Sequence, residues 1–118
     1  MAPRSQLEIV TSSVTRLVKE EASYHRELEQ QIERIKKLES SPDDGDENKE
    51  FLVRQEKSAL EETRNVLPTL KQKIVQAVKE LEALIIEEGH KGAESNVAHI
   101  TNAKDAIAKA KTAEREIS

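Results

Sequence analysis

The sequence predicts an all-α fold: an elongated antiparallel three-helix bundle with coiled-coil-like heptad packing. Three observations carry that expectation. Residues 7–38 hold a seven-residue stripe, Leu7, Val10, Val14, Leu17, Glu21, Tyr24, Leu28, Gln31, Ile35 and Leu38, interrupted only by Glu21 and Gln31. A second heptad run follows at Leu67, Leu70, Ile74, Ala77, Leu81 and Leu84. Turn-forming residues concentrate at 40–45 and 89–92, which divides 118 residues into three helical stretches of one domain. A helix advances about 3.6 residues per turn, so the first stripe keeps one narrow face apolar over roughly 50 Å. Such a face has to lie along other helices.

Helix 1 is expected over about residues 5–40. Ser5 and Glu8 stand in the S-x-x-E spacing, in which the hydroxyl accepts from a first-turn N–H and the carboxylate reaches back to the cap. Ser40, Ser41, Pro42, Asp43, Asp44 and Gly45 then stop the helix, and the loop length suits an antiparallel return. Helix 2 is expected over about 46–88, its first half using Leu52 or Val53, then Ala59, Leu60, Thr63 and Val66. Pro68 lacks the N–H that bonds four residues back, which predicts a kink over 65–68 without a break, because the apolar period resumes on both sides. Gly89 or Gly92 supplies the left-handed residue that ends the helix. Helix 3 is expected over about 93–117, with Ile100, Ala103, Ile107, Ala110 and Ile117 on its seam and Val97 helping at the start. Its alanines bury less area per turn, so it should fray most easily.

Composition narrows the function. Apolar and charged residues each make up 36%, and Tyr24 and Phe51 are the two aromatics. A thin core suits narrow bundles, and few aromatic faces argue against platforms for bases, sugars or flat cofactors. A net charge of -4 disfavours nucleic acid and anionic membrane, both of which need a basic footprint. Cysteine is absent, the first residues lack the apolar core of a secretory signal, and no stretch approaches the length of a membrane span, so a cytoplasmic protein is the expectation.

No catalytic, cofactor-binding or metal site emerges. The sequence has no nucleophile elbow, phosphate loop or zinc-binding helix pair. His25, His90 and His99 sit on separate segments and read as surface or loop residues. Glu33 with Lys37, and Glu50 with Arg54, read as surface ion pairs at helical spacing. Glu21 and Gln31 read first as polar seam residues that fix register or reach solvent at a seam edge, and second as partner contacts. Without a pocket or a catalytic constellation, binding through broad polar surfaces is the economical inference.

Two stretches go beyond generic helix. Arg16-Leu17-Val18-Lys19-Glu20, followed by Tyr24 and Glu27, fits R-[LI]-V-K-E-x3-Y. Leu60-Glu61-Glu62-Thr63-Arg64-Asn65-Val66-Leu67-Pro68 fits L-x-E-[ST]-R-x-x-[IL]-P. Residues 4–88 thereby resemble the tubulin-binding cofactor A, or tubulin-specific chaperone A, family; beyond Gly89 no motif supports the likeness. The resemblance implies a three-helix bundle that captures β-tubulin folding intermediates and holds them, without ATP, before αβ-heterodimer assembly. It also implies handover to other tubulin-folding cofactors and a cytoskeleton-associated place in the cytoplasm. By motif position, Arg16, Lys19, Glu20, Glu61 and Arg64 are the candidate tubulin-binding surface, while Tyr24 and Pro68 are structural positions. The alternative reading is a structural or adaptor coiled-coil module acting through a different helical partner or self-association, and a weak homodimer is compatible with either. A hydrolase built on clustered glutamates has only composition in its favour.

Overall fold

A computed structural model describes residues 3–42 and 47–117, and all of the regular structure in them is helical. Helix α1 spans Gln6–Ser40, α2 spans Glu47–Gly89, a 3-10 turn covers Gly92–Glu94, and α3 spans Val97–Ile117. Of the residues expected to stop helix 1, Asp43, Asp44 and Gly45 lie outside the described ones. The side chain of Ile117, expected on the third seam, is outside them too.

The helix ends follow from local chemistry. At the start of α1 the Glu8 N–H donates to Ser5 Oγ at 3.2 Å, and the Ser5 N–H donates to Glu8 Oε1 at 3.2 Å, so the capping box closes in both directions. At the end of α2 the chain turns through Gly92, at φ 64°, a left-handed conformation that costs any L side chain about 1 kcal/mol or more. Helix α3 starts at Val97, later than residue 93, because Asn96 caps it: Asn96 Oδ1 accepts the His99 N–H at 3.0 Å. Ser95 is held back on α2 by donating from Oγ to the Glu88 carbonyl at 2.8 Å, so the intervening residues form a 3-10 turn.

The chain divides into two compact units. Unit 1, Met1–Glu20 with Leu70–Ser118, is a three-helix bundle. Its core joins Leu7, Val10 and Val14 of α1, Val78 and Leu81 of α2, and Ala103, Ala106, Ile107 and Ala110 of α3. Leu81 and Val14 are fully buried. The α3 contribution is mainly alanine, and small side chains let helix axes approach closely, so α3 is sealed by proximity more than by bulk. The heptad reading placed Ala77 on the seam; Val78 is the buried residue and Ala77 is half-buried beside it. Val97 does not help the seam: it is 70% exposed, because the turn before it leaves the first residue of α3 outside the core.

Unit 2, Glu21–Thr69, is a two-helix hairpin with a different interior. Its buried apolar residues are Ile35 and Leu67, and beside them lie the buried polar residues Glu21, Gln31 and Thr63. Glu21 and Gln31 therefore do not reach solvent at a seam edge. Thr63 satisfies its hydroxyl within its own helix, donating to the Ala59 carbonyl at 3.1 Å. Gln31 Oε1 and His25 Nε2 are buried without a hydrogen-bond partner. His25 is thus a half-buried helix residue instead of the surface or loop residue its sequence context suggested. Helix α2 continues without interruption through Pro68, which is exposed. Proline on the wet face leaves the carbonyl four residues earlier, on exposed Arg64, able to bond water, and this makes an interior proline tolerable.

Candidate partner-binding surfaces

Arg16, Lys19 and Glu20 lie on the exposed face of α1 in unit 1. Val14 points into the core and Leu17 and Val18 are half-buried, so the helical period turns these three charges outward together. None of the three forms an ion pair among the described residues. They are preorganised by their helix and free to meet a partner's charges.

Glu61 and Arg64 lie in unit 2, exposed on α2 and brought together at 3.8 Å. They form one wall of a groove of about 430 Å³ lined by Ile32, Ile35 and Lys36 of α1 and by Lys57, Leu60, Glu61 and Arg64 of α2. Two exposed ion pairs cross the hairpin: Lys57 to Glu39 at 3.0 Å and Arg34 to Glu56 at 3.4 Å. The expected pairs Glu33–Lys37 and Glu50–Arg54 do not form among the described residues. Across the hairpin, Glu56 and Glu39 reach for a neighbouring helix instead. Tyr24 is 37% exposed, so the side chain stands at the edge of the interface while Glu21, one turn earlier, is the buried residue.

The groove residues Ile32, Lys36 and Lys57 do not stand out in the sequence, and Leu60 reads there as an apolar seam and motif position instead of as part of a groove. A signal was present at Gln31-Ile32, where the seam position is polar and the apolar residue is displaced by one. That displacement turns Ile32 toward the side of the interface where the groove opens.

Two carboxyls, at the start of α1 and the end of α2, are shifted by their hydrogen bonds. Hydrogen bonding from the Ser5 N–H, helped by nearby His99 and Arg4, holds the Glu8 carboxyl below its ordinary range. Glu88 is likewise lowered, first by the Asn96 N–H at 3.2 Å and then by Lys91 at 3.1 Å. His99 Nε2 lies 3.5 Å from Glu8 Oε2, which ties α3 to α1. Among the described residues no group of three or more His, Cys, Asp or Glu side chains is placed to hold a metal ion, and no helix is long and apolar enough to cross a membrane.

Helical packing units with charged outer faces and open grooves define a class, the all-α bundles. Within it, the chain belongs to the tubulin binding cofactor A family, whose sequence profile matches residues 2–107. It is 30% identical over 83 residues to proteins named tubulin-specific chaperone A from Mus musculus and Oryctolagus cuniculus, an alignment covering 70% of this chain and 72% of each of theirs. No solved structure matches it.

Proposed function

We propose that this protein is a tubulin-folding chaperone that binds β-tubulin folding intermediates and holds them, without ATP, before the αβ-heterodimer assembles. Family membership carries the reading. It is supported by the exposure of Arg16, Lys19, Glu20, Glu61 and Arg64 within the two motif stretches, while Leu17 and Val18, between Arg16 and Lys19, are half-buried. The mode of action is stoichiometric: binding removes free client by mass action and covers surfaces that would otherwise aggregate. Handover to further tubulin-folding cofactors and a cytoplasmic, cytoskeleton-associated location belong to the same proposal.

The test is capture. Incubation of the pure protein with dissociated tubulin should give a complex containing β- but not α-tubulin, in the absence of nucleotide. No complex at micromolar concentration overturns the reading, and a complex that requires ATP overturns the passive mode of action.

A further inference from the structure

Three features of the surface could seat a partner. One is the face of α2 around the half-exposed Phe51, with Arg54, Gln55, Ser58, Ala59 and Glu62. All of these residues come from one helix, and Arg54 balances Glu62, so nothing there selects an occupant. Another is a cavity of about 160 Å³ between Ser5, Leu7, Leu84 and Glu88, where Glu88 is already engaged by Asn96 and Lys91. The groove of unit 2 differs from the first in being built by two helices, and from the second in its larger volume and in a lining where cations outnumber carboxylates.

In the groove Ile32 and Leu60 are half-buried, so apolar surface remains open along the floor. Lys36, Lys57 and Arg64 rim it against the single carboxylate Glu61, a basic patch on a chain of net charge -4. Lys36 has no ion-pair partner among the described residues. The pairs of Lys57 with Glu39 and Arg64 with Glu61 have side chains about half exposed, and pairs so exposed contribute at most about 1 kcal/mol and exchange readily for a partner's carboxylates. Along α2 the lining residues fall at positions 57, 60, 61 and 64, a length of about 10 Å, or two helical turns. Unit 1 is closed by three helices, whereas unit 2 has two, with Ile35 and Leu67 as its buried apolar residues among the described ones.

We infer that the unit 2 groove receives an acidic amphipathic helix from the protein client, two turns of which set apolar side chains on Ile32 and Leu60 while flanking carboxylates meet Lys36, Lys57 and Arg64. This rests on the reading that the chain holds a client protein, and it assigns the groove as one place where the client is gripped. The recognition is helix-in-groove, with area supplied by the floor and orientation by the rim. Arg64 and Glu61 then act as wall residues of a cleft instead of isolated surface charges.

The test uses the full chain and a fluorescein-labelled synthetic helix of about 18 residues built from Leu, Ala and Glu, long enough to hold its fold. A second helix carries Lys in place of every Glu. Anisotropy should show binding of the acidic helix, no comparable binding of the basic one, and weakening as salt rises. K36E/K57E/R64E should loosen the acidic helix by about tenfold or more, while Lys104→Glu, exposed on α3 in unit 1, leaves it unchanged. Circular dichroism checks that each variant keeps its helices, and Leu60→Ala supplies an uncharged arm that should also weaken binding. Equal binding of both helices, equal binding by the triple variant, or displacement by polyuridylate as effective as by unlabelled acidic helix overturns the proposal. So does sedimentation showing that the groove is already occupied by a second copy, a dimer that the triple variant dissolves. The same variants against tubulin separate the two readings. Wild type that captures β-tubulin beside a triple variant that captures it equally well sinks the groove alone. Wild type that binds the acidic helix but never tubulin sinks the identity of the client alone.

Discussion

Gln31 and Thr63 are buried polar side chains in one two-helix interface, and they differ in how they are satisfied. Thr63 donates to a carbonyl of its own helix, whereas the Gln31 amide oxygen meets no donor and the residue is 3% exposed. An unsatisfied buried polar atom costs about 1–3 kcal/mol, and an apolar residue of similar shape removes that cost. Gln31→Leu is therefore expected to raise stability by about 1 kcal/mol, read as a higher urea midpoint at unchanged slope. A lower midpoint would mean that Gln31 holds a register the apolar residue does not. Some of this scale was legible in the sequence and some was not. The Ser5–Glu8 box could be read because both partners and both donors lie within four residues. Asn96 could not be chosen over Ala93 as the start of α3, because that choice is made by Ser95 and Asn96 bonding to Glu88, a contact that only the folded turn creates. His25 was misjudged for a related reason: periodicity locates a seam but not the width of the strip that the neighbouring helix covers.

At the scale of elements, the start of α1 and the turn between α2 and α3 are each held by a carboxylate, Glu8 and Glu88, that bonds best when ionised. Glu8 accepts the Ser5 N–H and lies beside His99, and Glu88 accepts the Asn96 N–H and Lys91, so both are depressed in the folded state below the ordinary carboxylate value of 4.5. A group whose folded pKa is depressed contributes stability that is present above its unfolded pKa and lost as pH falls through the folded one. Melting temperature should thus hold steady from neutral pH down to about the ordinary carboxylate range and fall below it. Glu8→Gln and Glu88→Gln should each lower stability at neutral pH and flatten that acid-side decline, and a decline as steep in the double variant as in wild type would assign it to other carboxylates. The same scale contains Pro68. Proline is about 3 kcal/mol worse than alanine inside a helix, yet it also narrows the unfolded chain by up to about 1 kcal/mol. Pro68→Ala is expected to stabilise α2 by about 1–2 kcal/mol, measurable as a rise in melting temperature. Loss of stability would show that packing of α2 depends on the local geometry proline imposes. The heptads made all three helices readable, since apolar spacing is a property of each helix alone. The ion pairs were not readable: Glu39 has Lys36 three residues back on its own helix yet pairs with Lys57, and Glu56, with no cation three or four residues away, pairs with Arg34 across the hairpin.

Across the whole molecule, apolar burial is unevenly distributed, and this determines where the chain opens. A core of nine buried apolar residues from three helices closes unit 1, while unit 2 is closed by two buried apolar residues, a self-bonded threonine and an unsatisfied glutamine. A fully buried Leu or Val contributes about 1.5–3 kcal/mol, so local opening of unit 2 gives up much less than opening of unit 1. Native-state hydrogen exchange should then rank the amides. Those near Val14, Leu81 and Ile107 should exchange near the global unfolding limit, and those near Leu28, Ile35 and Leu60 should exchange through smaller openings with a weaker urea dependence. This unevenness has a functional consequence if unit 2 takes a client helix. A hairpin short of one helix gains the missing contacts on binding, so protection should rise most at residues 32–36 and 57–64 and little around Leu81. The motif charges could be read from sequence because charge and exposure travel together on a helix. The groove could not, because it exists only where two helices leave Ile32 and Leu60 side by side. Equal protection in both units of the free protein would remove the energetic argument for a helix-accepting hairpin. A client complex that slows exchange around Arg16, Lys19 and Glu20 and leaves 57–64 untouched would move the grip from the groove to the outer face of α1.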